Sequence, residues 1–129
     1  SWGGLGVLWE RKVCSIFIRP TRYTYEYVER SKTFTLSFFE ESYRKALLYC
    51  GTHSGRTTDK MRETGLTPVK EHGFVYFNEA RLVMLCRKIY FQDIGPDRFL
   101  DPSLESMYPQ KDYHRMYVGE IERCLVKGA

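Results

Sequence analysis

Between Cys50 and Lys60 the chain reads Cys-Gly-Thr-His-Ser-Gly-Arg-Thr-Thr-Asp-Lys, with two glycines, four hydroxyl side chains and two cations in eleven residues. The stretch directly follows what reads as the end of a helix, so backbone N–H groups and positive charge can converge on one anion, the chemistry that holds a phosphate. A second stretch of the same kind, Arg19-Pro20-Thr21-Arg22-Tyr23-Thr24, lies earlier. Together the two would grip a nucleotide-like ligand better than either alone. Each also has a plainer reading: a threonine N-cap beside two surface arginines for the first, and a helix–loop–helix connection capped by Ser54 and Thr57 for the second. His114 is a further candidate, with a purely structural role as its alternative.

Composition sets the frame. A chain of 129 residues fits one domain covering residues 1–129 and removes roughly two-thirds of its unfolded surface from water. Lys and Arg number 20 against 16 Asp and Glu, a net charge of +4, spread too evenly for a dedicated DNA binder and suited to a small anionic ligand. Cys14, Cys50, Cys86 and Cys124 are 36 to 38 residues apart, with no metal-ligand or dithiol spacing, so they read as reduced thiols of a cytoplasmic protein. No run approaches a membrane span and no signal peptide is visible. Because the chain opens on Ser1, without methionine, an N-terminal piece is expected to be missing.

The elements that must position these residues follow from hydrophobic patterning. Ser1 to Trp9 reads as a glycine-rich apolar strand. Its Gly4-Leu5-Gly6 is not a dinucleotide fingerprint, because Trp9 replaces the third glycine and no helix pattern follows. Val13 to Ile18 reads as a buried strand ended by Pro20, and Thr21 or Thr24 would cap a helical turn through Tyr23, Tyr27 and Val28. Thr33 to Phe38 alternates hydroxyl and apolar residues, a half-buried strand with Phe34, Leu36 and Phe38 inward.

A helix from Glu40 to Cys50 with Gly51 as its left-handed C-cap comes next, then a short helix from Asp59 to Thr64 ended by Gly65 and Pro68. Gly73 to Phe77, Ala80 to Gln92 and Tyr113 to Lys127 read as strands, the last holding His114. Pro96 to Lys111 reads as a polar loop with one helical turn near Leu104, a lid or arm over a site. Two helices against five or six strands that do not alternate with them imply a mainly β fold, a barrel decorated by helices.

With these pieces in place, the sequence resembles the flavin reductase-like family, the FMN-binding split barrels that include flavoredoxins and NAD(P)H:flavin oxidoreductases. The likeness rests on Ser1-Trp2-Gly3-Gly4-Leu5-Gly6, on Arg19 to Glu26, on Cys50 to Arg56 with Asp59-Lys60, and on Tyr113 to Glu120 as the last barrel strand. It implies an FMN phosphate held by Arg22, Thr24 and Lys60 with the amides and hydroxyls of Gly51 to Gly55, Ser54 among them. Arg19 and Tyr23 belong to the same binding stretch. Ser1 and Trp2 would border the ribityl chain and ring, with His114 near the ring or the nicotinamide side. It further implies NAD(P)H as co-substrate, a small-molecule or protein electron acceptor, and a homodimer with flavin at the subunit boundary. Family members carry further strands before the Ser-Trp-Gly stretch, which are absent here.

Two other roles stay open on the sequence: a flavin-bound electron carrier that does not react with NAD(P)H, and a split barrel that has lost its cofactor. A remoter one is an RNA-binding sheet, suggested by Lys70 to Phe77, which echoes the aromatic strand motif of RNA-recognition domains. Glu71 would repel phosphate there, so nucleic acid is not the expected partner.

Overall fold

The computed structural model of the chain describes residues 2–128. Strands β1 (Trp2–Leu8) and β2 (Arg11–Ile18) form an antiparallel hairpin. Trp9 and Glu10 turn it, both at left-handed φ (54° and 58°), the geometry of a two-residue hairpin turn. Trp9 meets this demand without being glycine, and its ring packs edge-on against Tyr90, 5.5 Å away. Gly3 has a different reason to be glycine: a Cβ there would lie 2.3 Å from the Ser15 carbonyl oxygen of β2.

Helix α1 (Tyr23–Arg30) follows β2. It starts at Arg22 with no side-chain cap, so neither Thr21 nor Thr24 caps it as the sequence suggested. Thr21 donates instead to Asp112 at 3.1 Å, and Thr24 lies inside the helix. The C-terminal end of α1 is anchored to the sheet: Lys88 Nζ donates to the carbonyls of Val28 (2.6 Å) and Glu29 (3.2 Å), and a cation at the carbonyl end of a helix suits its dipole. Glu29 also accepts from Arg115 at 2.9 Å and from the Tyr117 hydroxyl.

Strand β3 (Thr33–Phe38) leads through a 3-10 turn, Glu41–Tyr43, into α2 (Arg44–Thr52), then α3 (Lys60–Thr64). Gly51 lies within α2, and the helix ends at His53 with ordinary extended backbone (φ −119°), so the expected left-handed cap at Gly51 does not form. At α3 the expected short helix forms and Gly65 closes its end at φ 74°, while Asp59 lies just outside it and caps the start through Arg62 N.

Two strands, β4 (Pro68–Glu71) and β5 (Phe74–Phe77), make a separate hairpin whose turn residues His72 and Gly73 both have positive φ. The RNA-like stretch Lys70 to Phe77 is therefore folded back on itself. It does not form one continuous strand in a sheet. Thr33 and Thr35 of β3 donate their hydroxyls to Gly73 O and Val75 O, tying this hairpin to the larger sheet.

Strands β6 (Leu82–Asp93) and β7 (Arg115–Val126) are the long central pair. The main sheet runs β1-β2-β7-β6-β3, with every pairing antiparallel. Ala80, Val83 and Leu85 form one core cluster with Phe39, Phe74, Tyr76 and Leu125 packed on it. Elsewhere in the sheet Cys14 and Cys86 are fully buried, Sγ to Sγ 3.3 Å, on either side of Gly119, where Phe34 also packs. Strand β1 stands at the sheet margin with all seven of its residues exposed.

Candidate functional site

Strand register decides what gathers at one end of the sheet. Trp2 pairs with Phe17, Phe17 with Met116, and Gln92 with Met116. The start of β1, the end of β2, the end of β6 and the start of β7 therefore lie side by side. The residues just beyond those ends, Arg19, Ile94 and His114, are thereby brought together with Trp2.

The rings of Trp2 and His114 are 4.5 Å apart with planes inclined 30°. His114 immediately precedes β7 and is buried. Its Nδ1 lies 2.6 Å from the Tyr108 hydroxyl, and its carbonyl accepts from Ile94 N. Arg19 reaches across to Asp112 (3.3 Å) and to the Met107 carbonyl (2.8 Å), with its guanidinium 4.8 Å over the Tyr108 ring. Burial, and then the charge of Arg19, push the imidazole pKa below its ordinary value, partly opposed by Asp112. The ring is therefore neutral at pH 7.

Gly95 to Asp112 is accordingly no free arm. Phe99, Tyr108 and Tyr113 pack on one another, Tyr113 donates to Glu105, and Arg19 and Thr21 bind Asp112. Asp112 and Tyr108 escape a reading of motifs because the link they make to Arg19 spans most of the chain. The available signal was their position beside His114 in an aromatic-rich stretch.

The two stretches expected from the sequence to bind an anion also meet, on α1. A Cβ on Gly55 would lie 2.9 Å from the Tyr23 ring, so the 53–59 loop rests directly on that side chain. Arg56 lies 4.6 Å over the same ring and donates to Glu26 at 2.7 Å. The turn itself is held by Ser54: its Oγ accepts from Arg56 N, and its carbonyl accepts from Thr57 N and Thr58 N.

What remains unpaired is informative. The Arg22 guanidinium, the Thr24 hydroxyl and the Ser54 and Gly55 amides make no hydrogen bond among the described residues, and all four residues are exposed. Lys60 and Arg19 differ, since Lys60 Nζ donates to Cys50 O at 2.7 Å and Arg19 is held by Asp112. Gly51 has its amide within the α2 ladder. Ser1 lies outside the described residues. Among the described residues no cluster of three or more metal-ligating side chains occurs, and no helix is long and apolar enough to cross a membrane.

The fold and a family model together define a class. The chain belongs to the family described as the flavin reductase like domain, whose model matches residues 11–129. No curated protein matches it. Among solved structures it is similar to an FMN-binding protein from Thermus thermophilus, at 19% identity and a TM-score of 0.75, covering 99% of this chain and 62% of that one. The flavoredoxin of Desulfovibrio vulgaris gives 24% identity and a TM-score of 0.73 over 98% of this chain and 58% of its own. The NADH:FAD oxidoreductase of Streptomyces globisporus gives 16% and 0.67 over 97% and 63%. At these identities the likeness establishes the fold, a mainly β split barrel with peripheral helices. The chain spans about three fifths of the length of these structures, 62% and 58% for the first two.

Proposed function

We propose that this chain binds FMN and serves as a flavin-dependent oxidoreductase, passing electrons from NAD(P)H to a small-molecule or protein acceptor. The observation that carries the reading is the unpaired donor set on two segments that touch at Tyr23 and Gly55. Arg22, Thr24 and the Ser54–Gly55 amides supply one cation, one hydroxyl and two N–H groups, which fits a terminal phosphate of nearly two negative charges. Lys60 and Arg19 support the site from behind. Lys60 fixes the end of α2, and Arg19 ties the start of α1 to Asp112.

The residues also fit a flat ring. Gly4 and Gly6 carry no side chain on β1, and a Cβ at Gly6 would meet nothing within 4 Å. Trp2 and His114 form an aromatic wall at the end of the same strand. When bound, FMN supplies the hydride and electron chemistry itself. The chain's part is to hold the phosphate, orient the ring and offer a neutral imidazole beside it. The reading includes a homodimer with the ligand at the subunit boundary, supported by the exposed apolar face of β1, and a cytoplasmic setting, supported by four free thiols.

The test is titration of the purified protein with FMN, followed by quenching of flavin fluorescence. Saturable binding that weakens about 10- to 100-fold in Arg22→Ala, the loss expected for a charge-assisted hydrogen bond, supports the reading. Identical affinity in the variant removes it. Similarity to a flavoredoxin favours a second reading, an electron carrier without direct NAD(P)H reaction. Anaerobic stopped-flow mixing with NADH and NADPH separates the two, because a pure carrier does not bleach on the catalytic timescale.

A further inference from the structure

His114 is held from three sides. Trp2 covers one face, the Tyr108 ring stands against the imidazole at 78° with its hydroxyl on Nδ1, and Ile94 N fixes the backbone. Both partners of the Tyr108–His114 bond are buried, at 5% and 6% exposure. Nε2 has no hydrogen bond among the described residues. No buried side-chain nitrogen or oxygen among the described residues lacks a partner.

A phenol can donate to a bare Nδ1 or accept from an Nδ1–H, and the choice puts the imidazole proton on opposite sides of the ring. Arg19 decides between them. Its guanidinium over the Tyr108 ring favours the partial negative charge that gathers on the phenol oxygen when the O–H donates. Burial first, and then the same cation, disfavour an imidazolium against the opposing pull of Asp112, so the ring stays neutral with a single proton to place.

We propose that Tyr108 is a positioning residue that fixes His114 as the Nε2–H tautomer, so that the site presents a neutral hydrogen-bond donor, and not a base, to a carbonyl oxygen of a planar heteroaromatic ligand lying against Trp2. The identity of that ligand rests on the FMN reading; the tautomer does not. An Nε2–H donor accepts no proton and repels no cation. It selects acceptor atoms at the ring edge, and it leaves proton delivery to solvent or to the ligand itself.

The test is long-range proton–nitrogen NMR of the histidine-labelled apoprotein at mildly alkaline pH, with His114→Asn assigning the His114 signals. A protonated Nε2 and a bare, hydrogen-bonded Nδ1 are expected in the wild type, and an Nδ1–H form overturns the proposal. In Tyr108→Phe both nitrogen shifts should move to the averaged values of a free imidazole; an unchanged spectrum also overturns it. FMN added to the wild type should then shift Nε2. Quenching that reports binding while Nε2 stays still refutes the donor role. Absence of any quenching removes the FMN reading instead, and the apoprotein spectra still decide the tautomer.

Discussion

Gly55 touches Tyr23 so closely that a single added methyl would lie 2.9 Å from one ring carbon and 3.3 Å from the next. This contact joins the two stretches proposed to hold the phosphate. Gly55→Ala must therefore push the 53–59 loop off α1 while leaving the sheet untouched. Quenching titrations should show FMN bound roughly tenfold more weakly, about 1.4 kcal/mol, at an unchanged urea midpoint. Wild-type affinity in this variant would show that the contact does not shape the site.

Arg22 and Lys60 should separate cleanly. Arg22 is exposed and unpaired among the described residues, so Arg22→Ala is expected to lower FMN affinity without moving the urea midpoint. Lys60 is half-buried and donates to the last turn of α2. Lys60→Ala should cost about 1–2 kcal/mol of stability and weaken FMN as the loop loosens. If Lys60→Ala alters affinity alone, the ammonium contacts the ligand directly.

Acid should destabilise the protein in two steps. The His114 pKa is depressed by burial and by Arg19 from an ordinary value of 6.5. In the window below that value the unfolded chain binds more protons than the folded one, so stability rises with pH there and is fully present above it. The melting temperature should fall as pH drops from about 7.5 to about 5, and His114→Gln should flatten this part of the curve. A second fall belongs to Glu29 and Asp93. Glu29 is held below its ordinary 4.5 chiefly by the Tyr117 hydroxyl, and Asp93 below 3.8 chiefly by Arg115. Their contribution is present above those values and is lost below them. A first step that persists in His114→Gln would assign it to another group.

Gly119 leaves no room for a side chain in the sheet. A Cβ there would approach Phe34 to 2.6 Å and Cys86 Cβ to 3.1 Å. Gly119→Ala should cost about 1–3 kcal/mol, as overpacking does, read as a lower urea midpoint. Adding Phe34→Leu should recover part of the loss. A wild-type midpoint for the single variant would mean the ring is free to move aside.

Much of this was legible from local pattern. Thr33 to Phe38 shows its alternation plainly, and Asp59 with Gly65 brackets α3 by ordinary cap chemistry. Pro68 misled: it reads as a helix stop, yet it also opens β4, and the cue for the hairpin was His72-Gly73, a pair suited to positive φ. Gly51 misled likewise, because glycine near a helix end suggests a cap while His53 ends α2 without one. Arg19 was recognised as a cation, but its partner Asp112 was out of reach, since pairing across so many residues is set by the sheet register and leaves no trace in either local stretch. Tyr108 was missed for the same reason.

The margin formed by β1 carries a consequence for handling the molecule. From Trp2 to Leu8 it has neither charge nor proline, and its outward N–H and C=O groups face no other strand among the described residues. Such an edge is a template for a neighbouring chain. At high concentration residues 1–129 on their own should add strands at β1 and grow into ordered aggregates, and a lysine replacing Val7, the most exposed of that strand's large apolar residues at 77%, should keep them dispersed.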